Sequence, residues 1–257
     1  MKGKIHKTLY ALEINIFNPE DNFQIAKEFF RTKKRGLLID KAQSSACDIL
    51  CLKFNVKTES DIPKAVKILK TLLPKITKPL MINGVYNNKI NTGLLPALIK
   101  ILDRKCIISY ANEQTYKEIL PLIINGKHKI VLKSPIDINL CRELNILAVD
   151  TGLPPENIII DTDIGGLGYG LDYGYSIIEK IKLEDDRYLN FPIISFVSQE
   201  SLRTKEAKYD TFSKSWGDLK TRAQMFEIAS ASAVKAAGAD IIVMYNPENI
   251  KIMKGLT

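Results

Sequence analysis

Short runs of Ile, Leu and Val recur along the chain, separated by longer stretches whose apolar residues fall three or four apart. The short runs read as buried strands and the longer stretches as helices. Eight strands are predicted: Leu9–Asn15, Asp48–Phe54, Pro79–Ile82, Cys106–Ala111, Lys129–Lys133, Asn157–Thr162, Phe191–Val197 and Asp240–Tyr245. Helical spacing follows each of them. Two pieces, Asn22–Phe30 and Gly36–Ala46, follow the first strand. Asp61–Leu73, with Ser60 as its N-cap, Gly93–Asp103 and Glu113–Ile123 follow the next three. Ile138–Asp150, Leu171–Leu183, Leu219–Ala237 and a short closing helix to Leu256 complete the series. Eight strand–helix units in a chain of 257 residues predict an α/β fold, a closed (β/α)8 TIM barrel forming one domain over residues 1–257. The competing open, doubly wound sheet usually has fewer strands and a different first turn.

In a barrel, chemistry sits where strands end and helices begin. The polar residues predicted there are Glu13, Asn15, Lys53, Asn55, Asn83, Ser109, Asn112, Lys133, Ser134, Asp161, Asp163, Ser195, Ser198, Tyr245 and Asn246. The set holds amides, hydroxyls and carboxylates but no histidine, which argues against a mononuclear metal hydrolase. The longest stretch between predicted elements, residues 200–218, is polar and carries the single tryptophan, Trp216. A long loop at that face can cap a ligand or a partner.

Composition adds little to this picture. With 46% hydrophobic and 26% charged residues, the chain reads as a globular protein, and no apolar run is long enough to span a bilayer. The basic start, Met1 to Lys7, is not followed by a long apolar segment, so no signal peptide is expected and a cytoplasmic location is the default. The formal charge of +8 comes from scattered lysines, and no basic stripe interleaves with aromatics. Nucleic acid is therefore not expected as a partner, nor is a membrane. The cysteines Cys47, Cys51, Cys106 and Cys141 form no C-x-x-C pair and lie far in sequence from His6 and His128. Reduced, buried thiols are the favoured reading, and no metal site is expected within the chain.

One segment stands apart. Asp161 to Tyr175 packs five glycines, three tyrosines and three aspartates into the passage from the sixth strand to its helix. Gly166, Gly168 and Gly170 do not make the dinucleotide fingerprint, because Leu171 stands where that needs glycine. The cluster is either a tight turn without a ligand or a loop that binds one. Tyr169 and Tyr173, four apart, are placed on one helix face, as packing or as a wall against a flat ligand. Lys133 ends a strand and can be read as a Schiff-base amine. The preferred reading pairs it with Asp161 on the neighbouring strand. Ser134 fits an N-cap and Pro135 a first helical turn, and Asp137 reads as a capping or dipole residue.

The stretches Ser134–Leu147, Leu153–Asp161 and Ile164–Tyr173 together resemble the small subunit of the corrinoid iron–sulfur protein, called the delta subunit in the archaeal acetyl-CoA decarbonylase/synthase complex. Phe191–Ser195, Lys205–Ala207, Trp216–Gly217, Ala237–Met244 and Pro247–Glu248 extend the resemblance to the chain's end. It departs from the family at Asp161-Thr162, usually Asp-Pro, and at Tyr245-Asn246, usually Arg-His. The resemblance implies a TIM barrel akin to pterin-binding methyltransferases and a place in the Wood–Ljungdahl route of carbon fixation. There a methyl group passes from a methyl-tetrahydropterin to the cobalt of a corrinoid (cobalamin) and then to acetyl-CoA synthase. It implies a heterodimer with a large subunit that carries the iron–sulfur cluster and the main corrinoid domain. This chain then shares the corrinoid, holds no iron–sulfur cluster, and meets the methyltransferase and acetyl-CoA synthase transiently. The expected corrinoid contacts are Ser134, Asp137, Asn139 and Asp161, with Gly165, Gly166, Leu167, Gly168, Tyr169, Gly170 and Tyr173 of the loop. Glycine backbone, tyrosine faces and short polar side chains suit a wide, partly apolar disc fringed with amides. No catalytic residue is assigned.

The alternative is a stand-alone methyltransferase that binds methyltetrahydrofolate in the barrel, with Asn83, Asn112, Asn139 and Asp161 on the pterin's hydrogen-bonding edge. A Schiff-base aldolase using Lys133 is the third reading.

Overall fold

The computed structural model describes residues 7–256, so His6 and most of the basic N-terminal stretch lie outside the described residues. The chain runs β1 (Leu9–Asn15), α1 (Gln24–Phe30), α2 (Arg35–Gln43), β2 (Ile49–Lys53), α3 (Ile62–Leu72), β3 (Leu80–Asn83), α4 (Asn88–Ile99), β4 (Ile107–Ala111) and α5 (Tyr116–Gly126). It continues with β5 (Lys129–Lys133), α6 (Ile138–Asp150), β6 (Ile158–Asp161), α7 (Leu171–Leu183), β7 (Ile194–Ser195), α8 (Val197–Ser201), α9 (Lys205–Lys208), α10 (Leu219–Ala237), β8 (Ile241–Met244) and α11 (Pro247–Gly255). The strands are parallel in the order β6-β5-β4-β3-β2-β1-β8-β7. The ends of this sheet meet at one bridge, Ile160 with Ile193, where the Ile160 N–H donates to the Pro192 carbonyl at 2.8 Å. The fold is a TIM barrel, as the sequence pattern predicts.

Side chains alternate across each strand, and this sorts the apolar residues into two cores. Ala11, Ile49, Cys51, Met81, Val131, Ile159, Ile194 and Val243 fill the barrel. Their neighbours, among them Leu12, Leu50, Leu52, Ile82, Leu132, Ile160 and Met244, pack outward under the helices. The same alternation decides what crowns the barrel. Two residues beyond the interior set come Glu13, Lys53, Asn83, Lys133, Asp161 and Tyr245.

Several expectations are corrected. The helix expected from Gly93 starts at Asn88, because Asn87 accepts from the Ile90 N–H at 3.2 Å and caps it. Ser60 is no N-cap; its hydroxyl pairs with Thr58, and α3 starts at Ile62. The strand expected over Phe191–Val197 shrinks to two residues, since Pro192 offers no N–H and the chain turns into α8 at Val197. The span 200–218 is not a bare loop: it contains the end of α8, all of α9 and a 3-10 turn at Lys214–Trp216. Neither Ser134 nor Pro135 opens α6. Asp137 is its N-cap, accepting from the N–H groups of Asn139 (2.8 Å) and Leu140 (3.1 Å).

Candidate functional site at the barrel mouth

The polar crown divides into two linked groups. In the first, Glu13 is buried at the end of β1 and accepts from the Asn83 side-chain amide and from the Cys51 thiol at 3.4 Å. Burial first, and then Glu13, raise the Cys51 thiol well above its ordinary value, so it is held protonated. Tyr245 also hydrogen-bonds Glu13, and burial raises its hydroxyl in the same way. Lys53 stands beside this group. Its ammonium lies 5.2 Å from the centre of the Tyr86 ring.

The second group centres on Lys133, which is buried and lies 3.1 Å from Asp163 and 3.8 Å from Asp161. The predicted pairing across β5 and β6 is thus present, and Lys133 and Asp161 are register partners. Two tyrosine rings flank the same ammonium, Tyr86 at 4.7 Å and Tyr110 at 5.5 Å. Burial opposes the charge on Lys133, but Asp161, Tyr86 and Asp163 outweigh it and hold the amine above the ordinary lysine value. A Schiff-base amine must be neutral to attack, so this geometry removes the aldolase reading of Lys133. Asp161, enclosed in the barrel, is raised by burial, partly offset by Lys133. Its Oδ1 also accepts from the Asp163 N–H at 2.9 Å, which draws Asp163 into a left-handed conformation at φ 61°.

A cavity of about 270 Å³ opens above Glu13 and Lys53, walled by Tyr86, Tyr245 and Phe23 and rimmed by Asn15, Asn55, Gln199 and Arg203. Gln199 donates to the Tyr86 hydroxyl, which fixes that ring over the mouth. The residues set out for a pterin's edge are not drawn to one pocket. Asn83 is committed to Glu13 and Asp161 to Lys133. Asn112 accepts from Gln114 and Thr115 at the start of the fourth crossover, and Asn139 is exposed, accepting from Arg142.

The glycine segment does form the β6–α7 loop at this face. Its glycines are required by the loop's own packing. A Cβ on Gly165 would stand 2.4 Å from the Tyr169 carbonyl, and one on Gly166 would stand 2.8 Å from the Glu200 carbonyl. Gly168 and Gly170 have φ of 78° and 97°, which favours glycine. Leu167 is partly buried. Tyr169 and Tyr173 are 52% and 64% exposed. They do not share a helix face, because α7 begins at Leu171 and Tyr169 stays in the loop, its hydroxyl donating to Glu206 at 3.3 Å. Ser134 is buried, with its hydroxyl beside the Cys141 thiol. Asp137 and Asn139 lie exposed at the start of α6 beside Ile136, a β-branched residue held at φ 41° while its N–H donates to the Thr162 carbonyl.

Two supports of the mouth escaped the sequence reading. Glu227 is fully buried in α10 and accepts from the Ser198 hydroxyl, the N–H groups of Tyr245 (2.7 Å) and Asn246 (3.3 Å), and the Asn249 amide (2.6 Å). It ties the ends of β8, α8 and α11 together beneath Tyr245. Burial raises its carboxyl, and the four donors partly offset this. Arg222, also buried, donates to the carbonyls of Glu206, Tyr209 and Gly217 and so pins the segment that carries Trp216. In sequence both look like ordinary charged positions of an amphipathic helix.

Among the described residues, no helix is long and apolar enough to cross a membrane. Among solved structures, the chain is similar to dihydropteroate synthase from Thermus thermophilus, with a TM-score of 0.63 at 12% identity over 97% of this chain and 93% of that one, a likeness of fold. In sequence it is similar to the acetyl-CoA decarbonylase/synthase complex subunit delta of Methanocaldococcus jannaschii, 28% identical over 204 residues that cover 77% of this chain and 50% of the relative. The subunit delta 2 of Methanosarcina acetivorans is 27% identical over 206 residues, 76% of this chain and 47% of the relative. The chain spans about half the length of the curated relatives it matches. Residues 41–257 match the family described as CO dehydrogenase/acetyl-CoA synthase delta subunit, and the chain belongs to that family.

Proposed function

We propose that this chain is the subunit of a methyl-transferring complex that covers a corrinoid held by a larger, iron–sulfur-bearing partner, while methyl passes from a methyl-tetrahydropterin to acetyl-CoA synthase. One observation carries the reading: the rim of the mouth exposes large side chains around a polar crown that is largely satisfied internally. Tyr86, Ile136 and Tyr169 stand out from the loops after β3, β5 and β6, with Tyr173 from the first turn of α7 and Tyr209 and Trp216 from the segment before α10. Such a patch marks a surface that another body covers. The small cavity and its committed polar groups suit a wide ligand lying on the mouth better than a flat heterocycle sunk within it.

The donor set fits a corrinoid. Tyrosine faces supply apolar contact, and Asp137, Asn139 and the exposed backbone around Gly168 supply partners for a fringe of amides. When bound, the corrinoid supplies the cobalt that carries the methyl group. This chain's residues wall off solvent and set the disc's orientation. The membership of relatives in a named multi-subunit complex supports a partner-dependent role. The test is reconstitution of the chain with a corrinoid-bearing large subunit, followed by size exclusion and the corrinoid's visible spectrum. A stable complex with an altered spectrum is expected. A chain that stays separate and leaves the spectrum unchanged overturns the reading.

A further inference from the structure

The mouth contains one amine that corrinoid coverage does not use. Lys53 ends β2 and lines the cavity floor beside Glu13. Its neighbour Lys133 is neutralised by two carboxylates. Lys53 is half-buried and has no carboxylate in ion-pair contact among the described residues; its ammonium lies 5.2 Å from the centre of the Tyr86 ring, with Glu13 near enough to act on its charge. Charged amines taken out of water without a counterion are costly, and the usual outcome is loss of the proton. The surroundings act in that direction. Burial lowers the Lys53 amine below the ordinary lysine value; Glu13 and Cys51 oppose this, and Lys133 and Arg203 reinforce it. The cavity in front of it is open to solvent, and the Arg203 guanidinium on its rim is more than half exposed.

We propose that Lys53 is a nucleophilic amine that forms an imine with a small aldehyde or 2-oxo acid entering the mouth cavity. The neutral amine adds to the carbonyl carbon and gives a carbinolamine. Its nitrogen loses a proton, its hydroxyl gains one, and water leaves as the C=N bond forms. No redox change is involved. Glu13 lies on the same floor to relay the proton, and Arg203 on the rim to meet a carboxylate. The reading stands apart from corrinoid coverage, which needs only the rim.

The experiment is competitive labelling of the full chain with limiting glyoxylate and cyanoborohydride near neutral pH, with each lysine's modification read by peptide mass spectrometry. Lysines of one chain compete in one tube, so the result does not depend on a variant's folding. Lys53 is expected to react faster than exposed lysines, because more of it is free amine near neutral pH. That advantage shrinks as pH rises past the ordinary lysine value. Lys53→Arg removes the fast site, and Lys133→Met, which takes away a neighbouring positive charge, slows it without abolishing it. Modification of Lys53 no faster than exposed lysines, or fast modification of Lys133 instead, overturns the proposal.

Discussion

Lys133 at the end of β5 and Asp161 at the end of β6 are register partners whose charges lie 3.8 Å apart inside the barrel mouth, both almost wholly buried. Removing one charge of such a pair leaves the other without compensation. Lys133→Met is therefore expected to destabilise the fold by about 3–5 kcal/mol, the range for breaking a buried pair. Urea denaturation of the variant against the parent chain measures it. A change below 1 kcal/mol, on the order of an exposed pair, would show that water reaches the site.

The same lysine predicts a pH dependence. Its folded pKa is raised above the unfolded value near 10.5. Its contribution is thus fully present below 10.5 and is lost as pH rises through the folded value. As pH rises above about 10.5 the parent chain is expected to lose more stability than Lys133→Met. Parallel curves for the two proteins contradict this.

Glu227 gives the opposite test, a carboxylate with hydrogen bonds and no cation. Glu227→Ala removes an acceptor shared by four buried donors, three of which keep a second partner in the Val243 carbonyl, the Ser198 hydroxyl and the Gln224 carbonyl, and is expected to cost about 1–3 kcal/mol. Glu227→Gln keeps the main acceptor, and the unpartnered Oδ1 of Asn249 can turn to meet the new amide. It is expected to cost well under half as much. Because burial raises the Glu227 pKa, its contribution is greatest below the ordinary carboxylate value and declines as pH rises through the folded value. Glu227→Gln should flatten that decline, which is read from thermal midpoints across mildly acidic pH.

At the glycine loop, Gly165→Ala and Gly168→Ala separate crowding from conformational strain. The first drives a methyl group into the Tyr169 carbonyl and the backbone of Gly170, whereas the second meets open space and only a positive φ. Gly168→Ala is expected to cost about 1 kcal/mol, and Gly165→Ala more, with a displaced loop. Thermal melts rank the two, and limited proteolysis at residues 165–170 reports the displacement.

The exposed tyrosines test the proposed function. Tyr169→Ser with Tyr173→Ser should leave stability within about 0.5 kcal/mol while weakening association with a corrinoid-bearing partner at least about tenfold. Surface-immobilised partner and circular dichroism give the two readouts. Unchanged association would move the interface away from this loop.

Much of the architecture is legible in the sequence because it rests on local signals. Leu219–Ala237 is bounded by the Asp218 cap and by Gly238 at φ 109°, and Lys129–Lys133 is an apolar run between a left-handed Lys127 and a proline loop. The β7 strand is misjudged because Phe191–Val197 has strand composition, whereas its pairing is limited by a proline and by the following turn into α8. The asparagines at the start of α4 look like a loop until Asn87 and Asn91 are seen bonding to backbone. At the site, the Lys133–Asp161 pair follows from strand ends meeting. Tyr86 and Glu227 do not follow, since one lies in an unremarked loop and the other has the spacing of a solvated helix face.

The barrel's closure has a consequence for assembly. Seven of its eight seams are ladders of two or more residue pairs, and the seam between β6 and β7 is a single bridge at Ile160 and Ile193. Gly166 of the β6–α7 loop packs on Glu200 and Thr204, which belong to the other side of that seam. The loop is therefore a strap across the place where the cylinder is easiest to part. Displacing that strap and opening the cylinder are thus mechanically one event.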